Sequence, residues 1–119
     1  MLSKIRYSAS VFSKESRLVS FCKRGLQTVP EGPGIYLFLD DRGKILFIGF
    51  AGPVPGLARR LEAQYNTGLW PEVTHFKWAL TSSHERPEQI VERLVREFDP
   101  PINRHALEPA AHVSYPMSV

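Results

Sequence analysis

The stretch Gly34-Ile35-Tyr36-Leu37-Phe38-Leu39, followed after a polar segment by Lys44-Ile45-Leu46-Phe47-Ile48-Gly49, decides the fold of this chain. Both runs are almost continuously apolar, and residues 40–43 between them have the composition of a tight turn. They therefore predict a β-hairpin over residues 34–39 and 44–49, with both of its faces covered. Each strand also places an aromatic residue beside a glycine, which indicates a site as well as a core.

The segment after the hairpin predicts a helix and then a strand. Leu57, Leu61 and Tyr65 recur at helical spacing and form one apolar stripe, and residues 66–68 end that helix. Residues 73–81 then alternate between large apolar side chains and smaller or polar ones, which is typical of a third strand.

A second amphipathic helix is predicted near the C-terminus. It begins near Glu85 or Pro87, with Thr81 or Ser83 as its N-cap, and residues 100–101, both proline, stop it. The order of elements predicts a mixed α/β (α+β) domain, in which helices flank a small three-stranded antiparallel sheet. An extra strand and helix precede it, and residues 104–119 form a tail.

The first quarter of the chain is basic. Residues 1–26 contain six basic residues and one acidic residue, a net charge of +5, whereas the whole chain has a net charge of +3. This segment is also rich in serine, which would suit an organelle transit peptide. The better supported interpretation is a strand over residues 5–11 and a helix from Lys14 to about Lys23, with Ser13 as its N-cap and Gly25 at its end.

Composition restricts the class of protein. A chain of 119 residues has room for one core, and no apolar run approaches the roughly 20 residues of a membrane span. With the single cysteine Cys22 and four histidines, the chain has neither an intramolecular disulfide nor a zinc-ligand cluster. We therefore expect a cytoplasmic protein that does not interact with membranes.

The two triplets, the Arg59-Arg60 helix, the glutamate-bearing helix and the closing Pro100-Pro101-Ile102-Asn103 together resemble the GIY-YIG endonuclease family. The resemblance covers residues 30–103 and implies a GIY-YIG-like nuclease domain there. It leaves residues 1–29 as an N-terminal strand and helix packed on the domain.

The resemblance implies catalytic roles for one residue of the first triplet, Tyr36, and one residue of the following helix, Arg60. Tyr36 would activate the attacking water, which requires a cation that lowers its pKa from about 10. Arg60 would hold the scissile phosphate through its planar guanidinium. Helix geometry favours Arg60 over Arg59, because Arg60 flanks the buried Leu57 stripe.

The resemblance also implies a metal site and a supporting set of residues. Glu92, or alternatively Glu88 one turn earlier, would be the single protein ligand of a weakly bound Mg²⁺ or Mn²⁺ ion. Three further residues would support the site structurally: Gly34, Gly49 and Asn103.

Two substitutions argue against full activity. Phe47 stands at the tyrosine position of the second triplet, and Phe50 stands where the family has a basic residue. Loss of each group would cost on the order of 10²–10³ in rate if both act as preorganised donors. His75 on the third strand is an alternative general base.

Two functional hypotheses follow. The first is a divalent-metal-dependent endonuclease that hydrolyses DNA by a one-metal mechanism, with RNA not excluded and with a protein partner that supplies specificity as an option. The second is a catalytically silent GIY-YIG-like module that binds nucleic acid or a protein.

Overall fold

The computed structural model describes residues 12–68, 70–82 and 86–106. Two pairs of strands are each followed by a helix, and a fifth strand is followed by two helices. The elements are β1 (Phe12–Glu15), β2 (Val19–Ser20), α1 (Lys23–Leu26), β3 (Gly34–Leu39), β4 (Ile45–Ala51), α2 (Leu57–Thr67), β5 (His75–Thr81), α3 (Pro87–Phe98) and α4 (Pro101–Ala106).

One antiparallel sheet organises the domain. Its strand order is β1-β5-β3-β4, and β2 pairs with β5 beyond the end of β1. Strand β3 lies in the middle, and all six of its residues are buried, as its continuous apolar sequence predicts. The mixed α+β class and the antiparallel hairpin are therefore confirmed.

The hairpin turn is closed by one carboxylate. Asp40 Oδ1 accepts hydrogen bonds from the backbone amides of Arg42 and Lys44, both at 2.9 Å. The bond from the Lys44 amide is the main cause that lowers the pKa of Asp40. Gly43 has a φ of 85°, a conformation that glycine adopts without steric cost.

Helices cover both faces of the sheet. On one side, here called the α2 face, Leu57 and Leu61 of α2 cover aromatic residues of the strands, namely Tyr36, Phe38, Phe47, Phe76 and Trp78. On the other side, the α3 face, apolar residues of α3 cover Ile35, Leu37, Ile48 and Ala79. The alternation of β3 between the two clusters places Tyr36 on the α2 face.

The predicted N-terminal helix from Lys14 to Lys23 is wrong. Residues 12–15 and 19–20 instead form β1 and β2, and Gly25 lies within α1. The free edge of β5 explains this difference, since its backbone groups need partners and the segment supplies them. The Ser16 amide donates to the Trp78 carbonyl, and the Trp78 amide donates to the Ser16 hydroxyl. Among the described residues, the sheet thereby has five strands instead of three. The strand predicted over residues 5–11 lies outside the described residues.

The predicted second amphipathic helix is confirmed as α3, which begins at Pro87 and ends before Pro100, but its N-cap and the residues after it differ from the prediction. Thr81 belongs to β5, and the N-cap of α3 is Arg86, whose side chain makes no capping bond. Ser83 and Glu85 lie outside the described residues, as does most of the predicted tail. Helix α3 ends at Phe98, but Pro101 starts the short helix α4, since proline suits a first helical position.

In the part of the chain that the structure describes, no helix has the length and apolar character needed to span a membrane.

Candidate functional site

Tyr36 and Gly49 face each other across β3 and β4. They are register partners, and Trp78 is the partner of Tyr36 on β5. A Cβ atom built on Gly49 would overlap the ring of Tyr36 and approach Phe47 Cε2 at 2.8 Å. The glycine of the second triplet therefore makes room for the aromatic residue of the first. Tyr36 itself is only 1% exposed.

Gly34 has a similar steric role at the start of β3. A Cβ atom there would overlap the carbonyl oxygen of Ala79 and come within 2.8 Å of Leu57 Cδ1. The absence of a side chain at Gly34 thus allows β3 to pack closely against β5 and the beginning of α2. Both triplet glycines are explained by close approach between elements.

Phe47 is part of the core and has no contact with solvent. Its exposure is 0%, and its ring centroid lies 4.9 Å from that of Trp70 and 6.1 Å from that of Tyr36. The apolar ring suits this surrounding. Phe50, the second substituted position, is half-buried and packs on the α3 face.

Arg60 and Arg59 differ as the helix geometry predicts. Arg59 has a side chain that is 79% exposed and lies 3.9 Å from a carboxylate oxygen of Glu31. Arg60 is half-buried, and its Nε atom is fully buried without a hydrogen-bond partner among the described residues. A buried N–H group without an acceptor is costly, so this guanidinium is placed where an incoming oxygen ligand would be favourable.

Glu31 anchors the helix that carries Arg60, a role that the sequence analysis missed. Its carboxylate accepts hydrogen bonds from the backbone amides of Gly56 at 2.9 Å and Arg59 at 3.2 Å. The Leu57 amide donates to the carbonyl of Gly32 at 2.9 Å. Negative charge at a helix N-terminus is stabilising. The only signal in the sequence is an acidic residue in a proline-rich loop, 25 residues before its partner.

The acidic candidates lie on α3, whose apolar residues pack on the opposite side of the sheet from Tyr36. Glu88 and Glu92 are both exposed, and the Glu92 carboxylate is 3.8 Å from Arg96. Within the described ranges no three His, Cys, Asp or Glu residues come together as a metal cluster. Glu92 can therefore offer a cation one carboxylate, with water and substrate oxygens completing the coordination.

His75 lies on the α3 face of β5, since it alternates with Phe76 and Trp78. Its Nδ1 atom is 2.8 Å from the hydroxyl of Thr74. The structure thus brings Tyr36 and Arg60 to one face and places His75 on the other.

Asn103 fastens α4 to the outer edge of β4. Its Oδ1 atom accepts a hydrogen bond from the Ile48 amide at 2.6 Å, and its Nδ2 atom donates to the Ile48 carbonyl at 2.9 Å. Asn103 is 5% exposed and Ile48 is 0% exposed. The asparagine side chain therefore takes the place of a further strand at this edge.

The hairpin, the aromatic α2 face and the asparagine at the β4 edge define a GIY-YIG fold. The fold is similar to a crystal structure of the GIY-YIG N-terminal endonuclease domain of UvrC from Thermotoga maritima, a point mutant bound to its catalytic divalent cation. The TM-score is 0.56 and the identity 20%, over 66% of this chain and 90% of that chain. The predicted GIY-YIG-like fold is thereby confirmed.

Sequence comparison indicates the same relationship. The chain is 28% identical over 83 residues to UvrABC system protein C of Parafrankia sp. (strain EAN1pec), which covers 64% of this chain and 12% of that protein. UvrABC system protein C of Frankia casuarinae matches with the same identity and coverage. The match thus spans only a small part of these relatives. No family model matches the chain.

Proposed function

We propose that this chain is a divalent-metal-dependent endonuclease that hydrolyses phosphodiester bonds in DNA. The observation that carries the proposal is the position of Arg60, a half-buried residue with a buried Nε atom on the helix that covers the Tyr36 face of the sheet. The GIY-YIG fold and the similarity to UvrC proteins support a nuclease. DNA is the favoured substrate, and RNA and a protein partner remain options.

Arg60 would bind the non-bridging oxygens of the scissile phosphate. The helix carrying it is fixed at its N-terminus by Glu31, and its Nε atom already lies in a buried environment. A preorganised guanidinium in such a place stabilises the charge that develops when water attacks phosphorus. Each donor of this kind contributes about 10²–10³ in rate.

Tyr36 would accept the proton of the attacking water. Tyr36 lies on β3 between β4 and β5, and its hydroxyl end lies next to Gly49, where there is no side chain. Its side chain is only 1% exposed and belongs to the buried cluster of the α2 face. Tyr36→Phe keeps this packing and removes the hydroxyl, so it tests the role directly.

Glu92 would hold the Mg²⁺ or Mn²⁺ ion, and its exposed carboxylate fits a weak site with one protein ligand. When bound, such an ion would supply Lewis acidity to a phosphate oxygen that reaches α3, the helix that packs on the face of the sheet opposite Tyr36. Arg96 competes for the same carboxylate, which favours weak affinity. Glu88 is the alternative ligand.

The test is nicking of supercoiled plasmid in Mg²⁺ and in Mn²⁺, with branched and single-stranded DNA and RNA as additional substrates. Arg60→Ala should reduce cleavage by about 10²–10³ and keep the fold. Arg42→Ala is the matched control, since it removes an exposed arginine from the hairpin turn and should leave cleavage unchanged.

The outcomes separate the two hypotheses. Metal-dependent cleavage that is lost in Arg60→Ala and kept in Arg42→Ala supports the nuclease. If a folded wild-type protein cleaves none of the substrates in either metal, the nuclease proposal fails. The silent binding module then replaces it, and gel shifts become the next measurement.

A further inference from the structure

A pocket of about 490 Å³ lies between α1 and α2, and none of the predicted catalytic residues lines it. We call it the α1–α2 pocket. One wall comes from residues 23–29, outside the region that resembles the nuclease family, and the other comes from the helix that carries Arg60. Its lining residues are Lys23, Leu26, Gln27, Val29, Ala58, Arg59, Glu62, Tyr65 and Asn66. The volume lies in the range of small-ligand sites, roughly 300–1,000 Å³.

The N-terminal wall is fixed to the sheet by Phe21. Its ring centroid lies 5.0 Å from that of Phe38 and 5.3 Å from that of Tyr65, edge-on to the latter. Gly25 packs so closely on the Ser20 carbonyl that a Cβ atom there would overlap it. The segment that forms the first wall of the α1–α2 pocket is therefore packed against the sheet and α2.

The lining combines four kinds of chemical group. Leu26, Val29 and Ala58 supply apolar surface, and Tyr65 supplies an aromatic ring. Two amides, Gln27 and Asn66, and the carboxylate of Glu62 can hydrogen-bond to base edges, while Lys23 and Arg59 supply positive charge. Aromatic stacking, amides for base edges and cations for phosphate are the combination that recognises an unpaired nucleotide.

We propose that the α1–α2 pocket binds one unpaired nucleotide of a nucleic acid strand. The base enters the pocket against Tyr65, and its phosphate lies near Lys23 and Arg59. Arg59 precedes Arg60 on α2, so the pocket and the proposed phosphate-binding residue share one helix. The inference rests on the proposed function in its choice of a nucleic acid as ligand.

The first experiment measures binding without catalysis. Deoxyadenosine 5′-monophosphate is titrated into the ¹⁵N-labelled full chain without metal, and amide shifts are followed by NMR. Saturable shifts confined to residues 23–29 and 58–66 support the proposal. The absence of shifts overturns it, and so does the same pattern with inorganic phosphate alone, which would indicate only an anion site.

Two pairs of variants locate the ligand. Ala58→Phe fills the pocket and should abolish the shifts, whereas Ala63→Phe places the same ring on an exposed position of α2. Lys23→Glu reverses a charge at the pocket without changing the core, and Lys14→Glu, on β1, is its control. Equal binding by each variant and its control would overturn the assignment.

A second readout separates this inference from the proposed function. Fluorescence anisotropy compares a duplex with one unpaired adenine and the fully paired duplex. Ala58→Phe should weaken binding of the first by about 5–150-fold, as expected for loss of one stacked base, and leave the second unchanged. Equal loss for both duplexes overturns the pocket. Nucleotide binding without cleavage overturns only the proposed nuclease function. Arg60-dependent cleavage without nucleotide binding overturns only the proposal that the α1–α2 pocket binds a nucleotide.

Discussion

Replacing Asn103 by alanine removes both hydrogen bonds that occupy the outer edge of β4. The Ile48 amide and carbonyl lose partners at 2.6 and 2.9 Å, in a place where Ile48 is 0% exposed. Each buried backbone group left unsatisfied costs about 1–3 kcal/mol. The predicted loss for Asn103→Ala is therefore about 2–6 kcal/mol, a large part of the roughly 5–15 kcal/mol that stabilises a domain of this kind.

Urea unfolding followed by the fluorescence of Trp70 and Trp78 measures this loss. With a slope of about 2 kcal/mol per molar urea, the midpoint should fall by on the order of 1–3 M. Hydrogen exchange should become faster at the Ile48 amide. Arg104→Ala, on the same helix, breaks an exposed ion pair with Asp99 at 2.8 Å and an exposed hydrogen bond to the Asp99 carbonyl, and should cost less than about 1 kcal/mol.

The reasoning is refuted if Asn103→Ala costs less than about 1 kcal/mol, or no more than Arg104→Ala. In that case, water or a shift of α4 provides hydrogen-bond partners for the Ile48 amide and carbonyl, and the Asn103 side chain is not needed for them. Asn103→Asp refines the test, because it keeps the acceptor for the Ile48 amide and removes the donor to the Ile48 carbonyl. It should also be destabilising at neutral pH.

Three further substitutions test the interpretation of the hairpin. Gly49→Ala should lower the free energy of unfolding in urea by about 1–3 kcal/mol or more, because its methyl group would overlap the Tyr36 ring. Gly52→Ala is the control, since nothing surrounds that position, and it should change the free energy of unfolding by less than about 1 kcal/mol. Phe47→Tyr should cost about 1–3 kcal/mol by the same measurement, since it buries a hydroxyl at a position with 0% exposure; a neutral result would mean that a partner for the hydroxyl exists there. Because the pKa of Asp40 is lowered from 3.8, its contribution is complete above that value and is lost as pH falls through the lowered pKa. Asp40→Asn should therefore flatten the acid side of the stability profile in urea titrations from pH 2 to 6, and an unchanged profile would contradict the assignment.

Local sequence patterns determined the middle of the domain. The two apolar runs around a polar turn predict the β3–β4 hairpin, and the Leu57 and Leu61 spacing predicts α2, since both patterns depend on residues close together in the chain. The same spacing indicates that Arg60 is less exposed than Arg59. Together with the glutamate-bearing helix and the closing Pro100-Pro101-Ile102-Asn103, these elements carry the resemblance to the GIY-YIG family.

Contacts between distant residues decided the rest. The N-terminal segment has polar and apolar residues compatible with either a helix or a strand, and it forms β1 and β2 because the edge of β5 offers hydrogen-bond partners more than 50 residues away. Glu31 caps a helix 25 residues later, and Asn103 closes a strand 55 residues earlier. No local pattern encodes such partners.

The sequence by itself therefore determined which residues form the hairpin and the two long helices, because short-range periodicity specifies them. Only the tertiary structure decided which face each candidate occupies: Tyr36 with Arg60 on the α2 face, His75 on the other, and Phe47 in the core. It also decided that residues 23–29 and α2 enclose a pocket. Faces and pockets depend on how elements pack in three dimensions, and packing joins residues that are far apart in the chain.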